Sequence, residues 1–155
     1  MPTRLQDEIR QSKPFASLEQ EAYLNLERTA AVLGHAFAEA LKPYGVTPTQ
    51  YNVLRILRGA GEEGLCRSEV RERLVSQVPD VTRLLDRLEA VGLVERRRGT
   101  DDRRFVTTRI TPEGLRLLAE LDGPIEQIHR NRLGHLGREN LRTLIELLSA
   151  ARGGR

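Results

Sequence analysis

The apolar residues of this chain recur mainly at helical spacing, with one short interval that alternates as a strand does. Between Val81 and Val91 they lie three, four or seven positions apart, which places them on one side of a helix. Gly92 follows and tolerates the left-handed backbone that often ends a helix. Leu93–Val94 and Phe105–Ile110 then read as two short strands, the second rich in Val, Thr and Phe. The predicted helical stripe consists of Val81, Leu84, Leu85, Leu88 and Val91.

Helical patterns also precede this stretch. Ser17-Leu18-Glu19-Gln20 and Thr47-Pro48-Thr49-Gln50 both match the capping box that begins a helix. The first helix should run to about Lys42, and Gly59 and Gly61 should end the second. The sequence therefore predicts two helices before residue 62.

Further helices flank the predicted strands. Ser68–Val75 forms a short helix, and the cap-then-proline pair Thr111-Pro112 begins a long one. Pro124 should kink that helix without ending it, because the apolar period resumes beyond it. A last helix covers about Arg138–Ala151. The predicted fold class is mainly α with a small β-hairpin wing, an α+β arrangement.

The helix that follows Ser76, with Pro79 and Asp80 in its first turns, has a polar face. At about 100° per residue, Pro79, Arg83 and Asp86 point away from the apolar stripe, and Thr82 and Arg87 flank them. Two consecutive short helices of this kind are typical of a helix-turn-helix. A hairpin directly after the polar-faced helix makes the layout that of a winged helix-turn-helix.

Charge is concentrated in the predicted hairpin. The segment Arg96–Arg104 is predicted to be a loop too charged to be buried, and Arg96–Arg109 holds six Arg and two Asp, although the whole chain carries a net charge of only +3. A run of charges usually forms a solvated surface, and that reading stands as the alternative. The adjacent polar-faced helix favours nucleic-acid binding instead.

The residues around this helix and hairpin resemble the MarR family of bacterial transcription regulators. The resemblance is carried by VTRLLDRLEAVGLVERR, then DDRR and then ITPEG, and extends from about Ser17 to Ala151. The family's wing has Asp-x-Arg ten residues, counted inclusively, before the Thr that caps the next helix. Asp102, Arg104 and Thr111 occupy those positions.

The resemblance implies a homodimer built from the terminal helices of a single MarR-like domain. Residues 1–46 would supply an arm and a dimerisation helix, 47–111 the DNA-binding lobe, and 112–155 the C-terminal dimerisation helices. Two recognition helices about 34 Å apart would then read a near-palindromic site on double-stranded DNA. The family's members are most often repressors, and a small phenolic or anionic effector can release them from DNA.

Particular side chains follow from this interpretation. Gln77, Thr82 and Arg83 are candidates for base or near-base contact in the major groove, where Arg83 can read guanine through two hydrogen bonds. Asp80 should either stabilise the helix start or accept a hydrogen bond from a cytosine amino group. Arg104 should lie in or near the minor groove. The predicted DNA-binding set is Ser76, Gln77, Pro79, Thr82, Arg83, Arg87, Asp102, Arg103 and Arg104. The resemblance also implies that Asp86 and Asp102 orient wing arginines.

Two other functions stay open. Cys66 lies before a short helix beside Arg67, a setting that favours thiolate chemistry and allows a redox-sensing regulator. The second alternative is a helical protein-protein adaptor that does not bind DNA. His35, His129 and His135 lack metal-ligand spacing, and no phosphate loop, nucleophile elbow or acid-base pair occurs, so we expect neither an enzyme nor a cofactor or metal. The single cysteine and the lack of a long apolar run predict a soluble cytoplasmic protein without a membrane partner.

Overall fold

The structure, a computed structural model, describes residues 4–102 and 104–153. It divides into two compact units, Met1–Glu39 and Ala40–Arg155. The elements are α1 (Leu5–Glu8), α2 (Leu18–Leu41), α3 (Pro48–Ala60), α4 (Arg67–Arg73), α5 (Val81–Ala90), β1 (Val94–Arg98), β2 (Val106–Ile110), α6 (Pro112–Leu133) and α7 (Arg138–Gly153). The predicted fold class, mainly α with one hairpin, is confirmed.

The predicted capping box is complete at the start of α3, and only its first half forms at the start of α2. The Thr47 hydroxyl accepts the Gln50 N–H at 3.2 Å, and Gln50 Oε1 accepts the Thr47 N–H at 3.0 Å. At α2 the Ser17 hydroxyl accepts the Gln20 N–H at 3.0 Å, but Gln20 Oε1 accepts from the Ala16 N–H at 2.6 Å instead of from Ser17 itself. Both helices therefore satisfy part of their exposed backbone donors through side chains that the sequence supplies locally.

Local signals also determine where α6 begins. The Thr111 hydroxyl accepts the Gly114 N–H at 3.2 Å and donates to the Gly92 carbonyl at 2.7 Å, which ties the start of α6 to the end of α5. The helix continues past Pro124 to Leu133, so the prediction that proline does not end it is confirmed.

The core of residues 40–155 gathers side chains from the last residue of α2, from α3 to α6 and from β1. Its fully buried members are Leu41, Val53, Leu54, Leu57, Val70, Val81, Leu88, Val94, Leu118 and Leu121. By contrast α7 has no buried residue. The core therefore holds α5 and the hairpin in place, because each contributes buried side chains to it.

A short bridge joins the segment before α4 to the hairpin. Leu65 and Thr108 exchange two backbone hydrogen bonds, of 2.9 and 2.8 Å. Gly64 precedes the bridge with φ 69°, and a Cβ there would collide with the Thr108 carbonyl oxygen. Only glycine combines that backbone angle with such a close approach.

Several predicted boundaries are wrong. Gly59 lies within α3 and does not end it, whereas Gly61 caps the end of the helix as predicted, because its φ of 71° breaks the helix. Helix α4 spans Arg67–Arg73 instead of Ser68–Val75, since Leu74 is already extended. Val91 does not belong to the buried stripe: it caps α5 and is 67% exposed.

None of the helices in the described part of the chain is both long and apolar enough to cross a bilayer.

Candidate nucleic-acid interface

The recognition helix α5 is shorter than the sequence predicted. Asp80 has an extended backbone, and its carboxylate accepts the Arg83 N–H at 2.9 Å, so the helix begins at Val81. An aspartate in this position satisfies a free backbone donor, and its negative charge interacts favourably with the positive end of the helix dipole. Asp80 therefore acts as the helix cap, which is one of the two roles expected for it.

Three predicted contact residues precede α5 instead of lying in its first turns. Ser76, Gln77 and Pro79 are exposed in the connection between α4 and α5. The Val75 N–H in that connection donates to Asn52 Oδ1 on α3 at 2.9 Å. The connection is therefore attached to the helical core at one end and capped by Asp80 at the other.

The polar face of α5 is arranged as its spacing predicted. Arg83, Asp86 and Arg87 are exposed, and Thr82 is half-buried beside them. Among the described residues no carboxylate pairs with the guanidinium groups of Arg83 or Arg87. These two side chains therefore offer several N–H donors to a ligand outside the chain.

The first strand extends into the arginines that were predicted to form a loop. In the antiparallel register Arg96 faces Thr108 and Arg98 faces Val106. The prediction that residues 96–98 form a loop is wrong, because their backbone groups pair with β2 while their long side chains reach solvent or partners. Across the strands Arg109 makes a close ion pair with Glu95, which opposes it in register.

A compact loop closes the hairpin between Arg98 and Val106. The Gly99 N–H donates to the Phe105 carbonyl at 2.7 Å, and Asp102 Oδ1 accepts the Arg104 N–H at 2.9 Å. The Arg104 guanidinium is 3.7 Å from that carboxylate, yet the side chain is 97% exposed. Arg103, also predicted to bind DNA, lies outside the described residues. Asp102 thus fixes the backbone at the loop tip and leaves the Arg104 side chain open.

Arg96 joins the hairpin to the recognition helix. Its Nη1 lies 2.6 Å from Asp86 Oδ1, and its Nη2 donates to the Thr82 carbonyl at 3.2 Å. Its backbone N–H donates to Glu89 Oε2 at 3.1 Å. The Arg96 side chain is only 24% exposed. One arginine therefore contacts the start, the middle and the end of α5, which sets the angle between helix and wing.

Sequence reasoning missed Arg67. This first residue of α4 is exposed, and its Nη1 donates to the Thr82 Oγ1 at 2.9 Å. Nothing in the sequence signals this bond, because it depends on how α4 packs against α5. Arg96 was included in the charged segment but not recognised as the residue that anchors the wing.

A cavity of about 460 Å³ opens between α4, α5 and the hairpin. Its lining includes Arg67, Thr82, Arg96, Arg104 and Phe105. Three guanidinium groups line this cavity, and two of them, on Arg96 and Arg104, also lie near carboxylates. The groove between helix and wing therefore offers N–H donors to a negatively charged ligand.

Cys66 caps α4 at the edge of this cavity. Its N–H donates to Glu69 Oε1 at 3.1 Å, and its Sγ lies 3.1 Å from Ser68 Oγ. Hydrogen bonds from the Cys66 side chain and then from its backbone N–H hold the pKa of the Glu69 carboxyl below its ordinary value. The cysteine thus occupies the place where Ser or Thr usually caps a helix. Within residues 4–102 and 104–153, no three His, Cys, Asp or Glu side chains gather as a metal site requires.

The sequence and the fold are similar to those of proteins of known class. A sequence model of the MarR family matches residues 44–104. The transcriptional repressor MdtR of Bacillus subtilis is 34% identical over 102 residues, which are 66% of this chain and 64% of MdtR. BpsR of Bordetella bronchiseptica, whose DNA binding is regulated by 6-hydroxynicotinic acid, has the same fold at a TM-score of 0.76, with 24% identity over 85% of this chain and 98% of that one.

A solved MarR transcription factor from Planctomyces limnophilus is more similar in sequence. It is 41% identical and has a TM-score of 0.68, with 88% of this chain and 98% of that chain covered. Such identity over almost the whole of a relative, together with the capped recognition helix and the arginine-anchored wing, shows that the chain belongs to the MarR family of DNA-binding transcriptional regulators.

Proposed function

We propose that this chain is a homodimeric repressor that binds a near-palindromic operator and leaves it when a small phenolic or anionic molecule binds. The observation that carries the proposal is that several arginines of the helix and wing are exposed, while another is fixed in place by an ion pair. Arg83 and Arg87 on α5 and Arg104 on the wing are open to solvent, whereas Arg96 is tied to Asp86. Recognition of a DNA groove requires exposed cationic side chains on a helix and wing whose relative position is fixed.

The proposed contacts involve the major groove, the backbone and the minor groove of the duplex. In this proposal α5 enters the major groove, Arg83 hydrogen-bonds a guanine, and Thr82 and Arg87 contact bases or phosphates close by. Ser76, Gln77 and Pro79 approach the backbone of the duplex from the connection before α5. Arg104 reaches the minor groove, whose negative potential attracts arginine.

Exposed apolar helix faces support the homodimer. The helix α7 buries none of its residues, and Ile145 and Leu147 on it are 65% and 64% exposed. In the other unit, α2 exposes Leu18, Tyr23 and Val32. Exposed apolar side chains are unfavourable in water, and a second copy of the chain would cover them by two-fold symmetry.

The repressor and effector parts of the proposal are supported by relatives. MdtR is a repressor. The ligand of BpsR, 6-hydroxynicotinic acid, joins an aromatic ring to a hydroxyl and a carboxylate. A related ligand would act on this protein by favouring a dimer whose recognition helices no longer match one turn of DNA.

The experiment that tests the proposal is selection of DNA from a random duplex library by the purified protein, followed by sequencing. We expect a near-palindromic motif with half-sites about one helical turn apart. Binding that depends on salt but yields no motif would contradict sequence-specific regulation. An adaptor that does not bind DNA would enrich nothing.

Two controls sharpen the result. Arg83→Ala should lose the motif while keeping the fold, whereas Arg55→Ala, which alters an exposed arginine over the Tyr51 ring on α3, should select the same motif. A thiol-sensing regulator predicts in addition that peroxide changes the affinity and that Cys66→Ser removes the change. If Arg83→Ala selects the parental motif, α5 is not the reading element.

A further inference from the structure

The recognition helix has one residue that two arginines hold from different sides. Thr82 accepts a hydrogen bond from Arg67 on α4 at its side-chain oxygen and another from Arg96 on β1 at its carbonyl. The two donor distances are 2.9 and 3.2 Å. Thr82 is therefore the point at which α4, α5 and the wing are joined by hydrogen bonds.

The bond from Arg67 has a chemical consequence for the hydroxyl. A guanidinium group can only donate, so Arg67 must use a lone pair of Thr82 Oγ1. The single hydrogen of the hydroxyl is then left for another acceptor. No described residue of the chain accepts it, and Thr82 lines the open cavity beside the exposed face of α5.

We propose that Arg67 is a positioning residue for DNA recognition, which holds the Thr82 hydroxyl as a hydrogen-bond donor toward DNA. The acceptor is a phosphate oxygen or a purine N7 at the edge of the major groove. This inference rests on the proposed function, because it requires α5 to face DNA. It adds Arg67 to the residues that support DNA binding. It also makes the Thr82 hydroxyl a hydrogen-bond donor to DNA and not an acceptor.

The salt dependence of binding distinguishes a positioning role of Arg67 from a direct phosphate contact. An arginine that binds phosphate directly releases a counterion and steepens the salt dependence of binding, with a slope change of about 0.9 for each contact. An arginine that acts through Thr82 changes affinity with little change in that slope. The two roles therefore differ in a quantity that can be measured.

The experiment is a double-mutant cycle on operator affinity, with the salt slope recorded for each variant. The variants are Arg67→Met, Thr82→Val and the two together, with Thr82→Ser as the conservative change that keeps the hydroxyl. We expect Arg67→Met to weaken binding about fivefold and Thr82→Val about tenfold, the scale of one net hydrogen bond. The double variant should be no weaker than Thr82→Val alone, because the two act as a unit. Thr82→Ser should bind within about twofold of the parent chain.

Chemically altered operators identify the acceptor. A methylphosphonate at one linkage removes the phosphate charge, and a 7-deazapurine removes N7 from one base. The operator that lacks the true acceptor should abolish the difference between the parent chain and Thr82→Val. If neither alteration at any position within the half-site does so, the donor role of Thr82 is overturned.

Other outcomes overturn the inference while sparing the proposed function. Additive effects of Arg67→Met and Thr82→Val, or a salt slope lowered by about one unit in Arg67→Met, would make Arg67 an independent phosphate contact. Arg83→Ala serves as the reference, since it tests the proposed function without touching Thr82. If Arg83→Ala also binds like the parent chain, both the inference and the proposed function fail.

Discussion

Arg58 on α3 and Asp122 on α6 form a two-pronged ion pair between positions 64 residues apart in the chain. Arg58 Nη1 lies 3.1 and 3.0 Å from the two carboxylate oxygens, and Nη2 lies 3.1 Å from one of them. The hydrogen bonds with Asp122 raise the pKa of Arg58 above its ordinary value. The pair thus joins the helix before the helix-turn-helix to the helix that follows the wing.

Asp122→Asn is expected to lower the free energy of unfolding by about 0.5 to 1 kcal/mol. The effect is small because both side chains are partly exposed and water screens the pair. A raised pKa means that this contribution is present below the ordinary arginine pKa, hence throughout the neutral range. Urea titration at pH 7 measures it. Glu113→Gln, which breaks an exposed pair with Arg116 one turn apart, should change the free energy less; equal losses would remove any special role for the Arg58 pair.

Tyr51 should make the fold sensitive to alkali. Burial is the main cause that raises the pKa of this phenol, with the negative charge of Asp122 adding to it and the cations of Arg55 and Arg58 opposing it. Because the raised pKa favours the neutral form in the folded state, the stability it contributes is present below the ordinary tyrosine pKa and is lost as pH rises through the folded one. The melting temperature should therefore fall more steeply above about pH 10 in the parent chain than in Tyr51→Phe. Parallel curves for the two proteins would contradict the assignment.

Substitution by alanine at two glycines should change the free energy of unfolding in opposite directions. Gly64→Ala is expected to cost about 1 to 3 kcal/mol, because φ is 69° and the new Cβ meets the Thr108 carbonyl. Gly59→Ala, within α3 and with no atom inside 4 Å of the added carbon, should raise stability by about 0.5 to 1 kcal/mol. Chemical unfolding of both variants gives the comparison. A neutral result at Gly64 would mean that the bridge between Leu65 and Thr108 does not need this backbone.

Arg104→Ala should weaken operator binding through the wing. Loss of one phosphate contact would lower the slope of log affinity against log salt by about 0.9. Titrations of labelled operator across a series of salt concentrations measure both quantities. Arg55→Ala, at an exposed position of α3 outside the predicted contact set, is the matched control and should leave the slope unchanged. An unchanged slope and affinity for Arg104→Ala would exclude this side chain from the interface.

Elements whose causes are local were predictable from the sequence. The hydroxyls of Thr47 and Thr111 begin helices by accepting the N–H of the residue three positions on, so four residues suffice to recognise each start. The buried members of the α5 stripe, Val81, Leu85 and Leu88, follow from spacing alone. The start of α5 was predicted too early, because Asp80, which was placed in the first turns of the helix, is its cap instead.

The hairpin shows where local reasoning fails. Three successive arginines at 96–98 look like a solvated loop, since no local property distinguishes a charged strand from a charged turn. Their strand state depends on β2, whose backbone partners lie about ten residues further along the chain. Pairing of this kind is set by the register of the whole hairpin.

The sequence by itself determined the fold class, the family, the polar face of α5 and the Asp-x-Arg wing, because periodicity, caps and motif spacing are properties of neighbouring residues. Tertiary structure alone decided that Arg96 ties the wing to Asp86, that Arg67 holds Thr82, and that Arg58 reaches Asp122. Each of these bonds is directional and only about 3 Å long, and it joins residues 10, 15 and 64 positions apart. Which arginine meets which partner therefore depends on the packing angles of helices and hairpin around the shared core, and no local pattern encodes those angles.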